Sequence, residues 1–151
     1  MIHLDVNVVV HAFMPGAAAH RPCADWIREL VNGDESFGIP DVVRSGFVRI
    51  ATDRRIYRPA PSVESALDFL RAAMASPVYV PVFPGRGHFD VFSRLCVETR
   101  ASGNAIPDAW LAALAMEAHA ELATLDAGFR RFQGLRLRSP MAAGPCPGPA
   151  P

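Results

Sequence analysis

Three aspartates stand where a sheet would bring them together. Asp5 closes the apolar run "MIHLD", Asp126 closes "LATLD", and Asp108 follows Pro107 at the opening of an alanine-rich helix. An ionised carboxylate taken out of water is costly unless it meets a cation, hydrogen-bond donors or a metal. Each of the three also suits a plain structural role. Asp5 can cap the helix that follows, Asp108 is favourable near a helix N-terminus, and Asp126 suits a turn. Two strand-terminal acids and a helix-start acid on one sheet edge would repel one another, and a hard divalent cation with oxygen ligands relieves that repulsion. The other acids have bland readings. Glu29, Glu64, Asp68, Asp90, Glu98 and Glu117 fall on solvated helix faces, and Asp34, Glu35 and Asp53 in loops.

The elements that must position these acids alternate along the chain. Residues 2–5 read as a short buried strand, with a helix taking over near Asn7. Trp26, Ile27, Leu30 and Val31 mark a second helix over 20–31. "FGIP" reads as a strand closed by Pro40, and Asp41 caps a helix with the stripe Val42, Val43, Phe47, Ile50 and Ala51. Ser62 caps the next helix, and "VYVPV" at 78–82 reads as a strand that Pro81 ends early or confines to an edge. A helix carrying Phe89, Phe92, Leu95 and Cys96 follows, then a loop through "ASGNAIP", with Gly103 as a helix stop. Residues 108–119 are helical, "AELATLD" is a strand ending at Leu125 or Asp126, "AGFRRF" is a turn and "LRLR" a last strand. Strands alternating with helices predict an α/β domain with a central, mostly parallel sheet, in which sites form at the carboxyl ends of strands. From Ser139 the Pro/Gly/Ala-rich tail is expected to form no packed element.

At 151 residues, half of them hydrophobic and 20% charged, the chain is sized for one domain with a real core. No apolar run reaches the ~18 residues of a membrane span, and no signal segment is evident at the N-terminus. A soluble, cytoplasmic protein is expected. Cys23, Cys96 and Cys146 form no C-x-x-C pair, and the five histidines form no H-x-x-x-H, so neither zinc nor a disulfide framework is indicated. All fifteen basic residues are arginine. Biased coding explains this as well as phosphate recognition by guanidinium forks does. Chemistry that needs a lysine is excluded either way. That removes a phospho-acceptor receiver domain, and with Asn7 standing where a second aspartate is required it also removes a haloacid-dehalogenase-type phosphatase.

Three stretches, "LDVNVVVHAF" at 4–13, "GIPDVVRSGFVRIATDRRIY" at 38–57 and "GNAIPDAWLAALAMEAHAELATLDAGFRRFQGL" at 103–135, make the chain resemble the PIN-domain ribonucleases, specifically VapC-type toxins of toxin–antitoxin pairs. The first stretch is a weak signature; the last, a helix-start Asp followed by "LATLD..F.RF", is specific. The resemblance implies a PIN-like three-layer α/β/α fold over 1–138, leaving 139–151 as a tail. It also implies a Mg²⁺- or Mn²⁺-dependent endoribonuclease cleaving structured RNA, transfer or ribosomal, with Asp5, Asp108 and Asp126 as catalytic and metal-binding acids. Asn7, Asn104 and Thr124 fall where the family places supporting polar groups, although capping and strand-end hydrogen bonding account for them equally. Ser45 stands where many members carry a glutamate, with Asp41, one turn earlier, as a weaker substitute. Arg49, Arg54, Arg55 and Arg58 form the densest basic cluster and are candidates for RNA contact or for a solvated surface. A VapB-type antitoxin and a homodimer are the implied partners. The alternative is a catalytically weakened PIN domain serving as a protein-binding module.

Overall fold

The computed structural model describes residues 1–142. In chain order these form β1 (Ile2–Leu4), α1 (Val6–Phe13), α2 (His20–Asn32), β2 (Phe37–Gly38), α3 (Asp41–Ala51), α4 (Val63–Met74), α5 (His88–Thr99), α6 (Ala105–Glu117), β3 (Glu121–Ala123) and β4 (Arg136–Arg138). Single 3-10 turns follow at Ala127–Arg131 and Pro140–Ala142. The four strands make one sheet in the order β2-β1-β3-β4, and every pairing is parallel. Helices on both faces complete the expected three-layer α/β/α arrangement.

The chain leaves β1 in one direction to reach β2 and later returns to β1's other side as β3. Such a reversal opens a crevice at the carboxyl ends of the two central strands. Asp5 follows β1 directly and Thr124 follows β3, so the topology alone delivers both to that crevice.

Burial explains the strand pattern. Ile2, His3 and Leu4 are each fully buried, as a central parallel strand covered on both faces requires. His3 therefore sits in the core with no hydrogen-bond partner at either ring nitrogen, and burial holds its pKa down at about 4. The helices pack as two groups, α1–α4 and α5–α6. Phe13, Phe47 and Phe69 meet with ring centroids 5.2–5.8 Å apart and so fix α3 and α4 against α1. Phe47, fully buried, contributes on the order of 1.5–3 kcal/mol and the half-buried Phe13 and Phe69 less, and the trio braces α3, which carries Ser45 and Arg49. α6 is buried nearly all round through Ala109 and the run Leu111–Ala115, where alanines allow close approach of α5 and β3.

Several boundaries differ from the sequence expectation. "VYVPV" contributes only one parallel bridge, Phe37 to Tyr79, at the sheet edge beside β2. Pro81 has no N–H for a further rung, so no strand propagates. α6 begins at Ala105, with Pro107 accommodated in its first turn, where the missing N–H costs nothing. β3 ends at Ala123, three residues before Asp126, because Thr124 turns its side chain to other work. Asp41 is the first residue of α3 rather than its cap, which is Pro40. Ser62 caps α4 as expected, accepting from the Ser65 N–H at 3.1 Å. The expected tail also differs at its start: Pro140 is buried and its 3-10 turn packs on α2. The rest of that tail, 143–151, lies outside the described residues.

Gly38 pairs with His3 in the sheet, and a Cβ there would press on the Val82 side chain and lie 2.8 Å from the Val80 carbonyl oxygen. Gly38→Ala is expected to destabilise the fold by ~1–3 kcal/mol through overpacking, read as a lowered urea midpoint. An unchanged midpoint would show that this edge yields freely.

Candidate active site

Asp5 is 4% exposed and caps α1, its Oδ1 accepting the Val6 N–H at 2.6 Å. Its Oδ2 accepts the Thr124 hydroxyl at 2.6 Å, a bond across 119 residues of sequence. Thr124 Oγ1 in turn accepts from Asn7 Nδ2 at 3.2 Å and from the Asp126 N–H at 2.9 Å. With both lone pairs engaged, its single proton must go to Asp5. Asn7 closes the ring by accepting the Leu125 N–H at 3.2 Å. Thr124 and Asn7 thus lock the segment after β3 onto the end of β1, and the structural and supporting readings of both residues coexist.

No cation pairs with Asp5 among the described residues. Burial pushes its carboxyl up from 3.8 to about 6; the Thr124 and Val6 hydrogen bonds pull the other way, and the negative charges of Asp108 and Asp126 add to the rise. Asp5 therefore feels the charge of both other acids.

They are not equivalent. Asp5 and Asp108 line one cleft of about 330 Å³, together with Ser45, Arg49, Pro107 and Leu111. Asp108 stands in the first turn of α6, and its Oδ2 accepts from Arg131 at 2.6 Å. Asp126 lies outside that lining, exposed, with Oδ1 accepting the Gly128 N–H at 2.7 Å as the cap of the 3-10 turn. Among the described residues, no three acidic, histidine or cysteine side chains stand close enough to form a ready-made ion cage. The expectation of three converging ligands thus reduces to a two-acid cleft with a third acid tied behind it through Thr124.

The remaining expected residues divide. Ser45 lines the cleft, its hydroxyl donating to the Val42 carbonyl at 3.2 Å, so it contributes no charge. Asp41 does not substitute for the absent glutamate: it is exposed, paired with Arg44 and away from the cleft lining. Asn104 is exposed at the head of α6, makes no cap bond and does not reach the cleft. Arg49 does line it. Arg55 instead binds the Asp53 carboxylate through Nε at 3.1 Å and Nη2 at 2.8 Å, and those contacts hold the Asp53 carboxyl down at about 2. Arg131 is the residue that sequence reasoning missed. Its only signal was its place in the "F.RF" segment, where it also lies 4.8 Å over the Phe132 ring.

The PIN domain family matches residues 2–135. The VapC ribonuclease Mb2897 of Mycobacterium bovis is 38% identical over 141 residues, covering 93% of this chain and 96% of the relative. Ribonuclease VapC31 of Mycobacterium tuberculosis is 39% identical over 143 residues, 93% of this chain and all of the relative. Among solved structures, VapBC2 from Rickettsia felis, bound to a DNA fragment from its promoter, superposes with a TM-score of 0.68 at 17% identity, over 92% of this chain and 98% of that one. VapC20 of Mycobacterium tuberculosis, a sarcin–ricin loop cleaving toxin, gives 0.64 at 15% identity over 90% and 99%. At those identities the structures speak for the fold alone.

Proposed function

The chain belongs to the PIN-domain family and is closely related to its VapC toxins, and from that premise we propose that it is a Mg²⁺- or Mn²⁺-dependent endoribonuclease that cuts structured RNA at an exposed single-stranded segment. The observation that carries this reading is Asp5: a buried carboxylate with no cation partner among the described residues, lining one open cleft with Asp108 and lifted to about 6.

The residues fit a hard divalent ion. The donors are carboxylate oxygens, and Mg²⁺ uses one or two of them while keeping several waters, so the Asp5–Asp108 pair suffices without a third ligand. Asp126 would add its negative charge from outside the cleft lining, while its backbone N–H holds Thr124. An ion held there supplies Lewis acidity towards a phosphate oxygen and a hydrolytic water at neutral pH. Thr124 and the Val6 N–H fix the rotamer of Asp5. Arg49 lines the same cleft and offers a guanidinium to the substrate phosphate. Arg131 holds Asp108 in place, so it would compete with a bound metal for that carboxylate. Arg131→Ala is accordingly expected to tighten Mn²⁺ binding about two- to fivefold, the weight of a partly exposed ion pair, in a calorimetric titration. Weaker binding would mean that Arg131 supports the ligand geometry instead.

The cognate partner in this reading is a VapB-type antitoxin, consistent with the solved relatives that are toxin–antitoxin complexes. An apolar recess of about 410 Å³ between α2 and α4, lined by Ala24, Ile27, Val31, Phe69 and Ala73, suits an amphipathic segment of such a partner. A homodimer is part of the same proposal. No helix among the described residues is long and apolar enough to cross a membrane.

The test is incubation of the purified protein with total transfer and ribosomal RNA in Mn²⁺, Mg²⁺ or EDTA. New RNA ends that require the metal support the proposal. Ser45, uncharged where many members carry glutamate, favours one rival, a binding module with weakened catalysis. A protein that binds neither Mn²⁺ nor RNA and leaves RNA intact would establish that rival.

A further inference from the structure

Of the fifteen arginines, seven are ion-paired with acids. Arg54 and Arg58 pair with none among the described residues, although they flank the strongly paired Arg55. Both line a recess of about 450 Å³ with Tyr57, Pro59 and Ala60, and no carboxylate faces into it. The one acid close by in sequence, Asp53, is fully engaged by Arg55.

The recess is built rather than loose. The Asp53 carbonyl accepts the N–H groups of Ile56 at 3.0 Å and Tyr57 at 3.0 Å, and the Asp53 carboxylate accepts the Arg55 N–H at 2.8 Å. Tyr57 is half-buried and packs on the core, so its ring is held rather than swinging. Arg58 Nε donates to the Arg54 carbonyl at 3.2 Å, which anchors that side chain at its base and leaves its terminal nitrogens available. A recess of this size lies within the roughly 300–1,000 Å³ typical of small-ligand sites.

We propose that this recess is a single-stranded RNA subsite, in which a base stacks on Tyr57 while Arg54 and Arg58 take the phosphates on either side of it. The substrate class rests on the nuclease reading above. An aromatic ring between two unpaired guanidinium groups is the combination that single-strand recognition uses, since every base has a stacking face and every nucleotide a phosphate. The recess and the acid cleft are linked along one short stretch of chain. Arg49 lines that cleft and stands five residues before Arg54 on the same helix-to-loop segment. An RNA strand leaving the scissile position would pass Arg49 and enter the recess. The subsite therefore selects for an unpaired nucleotide some way from the cut, and a duplex, with its bases stacked, could not fill it.

The probe is a 5′-fluorescein 12-mer of uridylate, followed by anisotropy in EDTA, where no metal-dependent cut occurs. Tyr57→Ala is expected to raise its Kd about 5- to 100-fold, the effect of losing one base stack, and Tyr57→Phe to preserve it. Arg54→Ala with Arg58→Ala is expected to lower the slope of log K against log[salt] by about 1.4, two phosphate contacts on a single strand. Arg94→Ala, paired with Glu98 on α5, is the control. Should Tyr57→Ala not fold, Arg54→Glu with Arg58→Glu at the exposed rim replaces it, with the same loss expected. A wild type that cuts RNA while all these variants bind the 12-mer with unchanged Kd and salt slope overturns the subsite and leaves the nuclease standing. A wild type that cuts nothing but binds the 12-mer through Tyr57 does the reverse.

Discussion

Asp5→Asn is expected to abolish metal-dependent RNA cleavage, by on the order of 10²-fold or more, and at the same time to make the metal-free protein more stable. The first effect follows from removing a charge that the cleft supplies to the ion. The second follows from burial. In the folded, metal-free chain the Asp5 carboxyl lies at about 6 rather than 3.8, which at neutral pH is a cost of roughly 3 kcal/mol. Asparagine removes the charge and keeps the shape. It can accept from the Val6 N–H or from the Thr124 hydroxyl but not from both, since its other atom is a donor, and that forfeits about 1–1.5 kcal/mol. The net gain of ~1–2 kcal/mol corresponds to a rise in Tm of roughly 2–8 °C. Activity assays and thermal melts in EDTA read both. An inactive variant with a lowered Tm would mean that the Thr124 bond matters more than the buried charge. Saturating Mn²⁺ should stabilise the wild type and leave Asp5→Asn nearly unmoved.

The second expectation concerns acid. Asp5 has a raised pKa in the fold, so its stabilising contribution is full below 3.8 and is lost as pH rises to about 6. His3 has a lowered one, so its contribution is full above 6.5 and is lost as pH falls to about 4. Between pH 4 and 6 the unfolded chain carries one proton, on His3, and the folded chain also carries one, on Asp5. Protons bound on the two sides are equal, and these two groups leave stability flat across that window. Asp5→Asn removes one side of the balance. Its stability should then fall by about 1.4 kcal/mol per pH unit on acidification from 6.5 to 4, some 3 kcal/mol in all. His3→Leu, which also removes two orphaned ring nitrogens from the core, should show the opposite slope. Urea titrations of the three proteins at pH 4.5, 5.5 and 6.5 check this; parallel curves would mean that the two groups do not titrate as a pair.

The acids were visible in the sequence because each marks the boundary of a readable element: an apolar run stopped by aspartate twice, and the opening turn of an alanine-rich helix once. The central, mostly parallel sheet followed from the same alternation, whereas the strand order β2-β1-β3-β4 emerged only in the structure. What pattern could not supply was the partner of each group. Thr124 reads as one more strand residue, and two of the three hydrogen bonds of its hydroxyl depend on Asp5 and Asn7, more than a hundred positions earlier. Arg131 looks like a solvated turn residue until α6 brings Asp108 beside it. The arginine cluster read as uniform splits three ways: Arg49 to the cleft, Arg55 to Asp53, and Arg54 with Arg58 to the recess. "VYVPV" has the composition of a strand, but one missing N–H at Pro81 outweighs four β-favouring side chains.

The bond between Asp5 and Thr124 also bears on biosynthesis. The adjacent Val6 N–H can hold one oxygen of the Asp5 carboxylate as soon as both are made, but the hydroxyl that holds the other comes more than a hundred codons later. Until that segment has emerged and β3 has paired with β1, the nascent polypeptide has no assembled cleft, and on the function proposed above it would cut no RNA. Chains terminated before Thr124 should be non-toxic however completely their N-terminal helices fold.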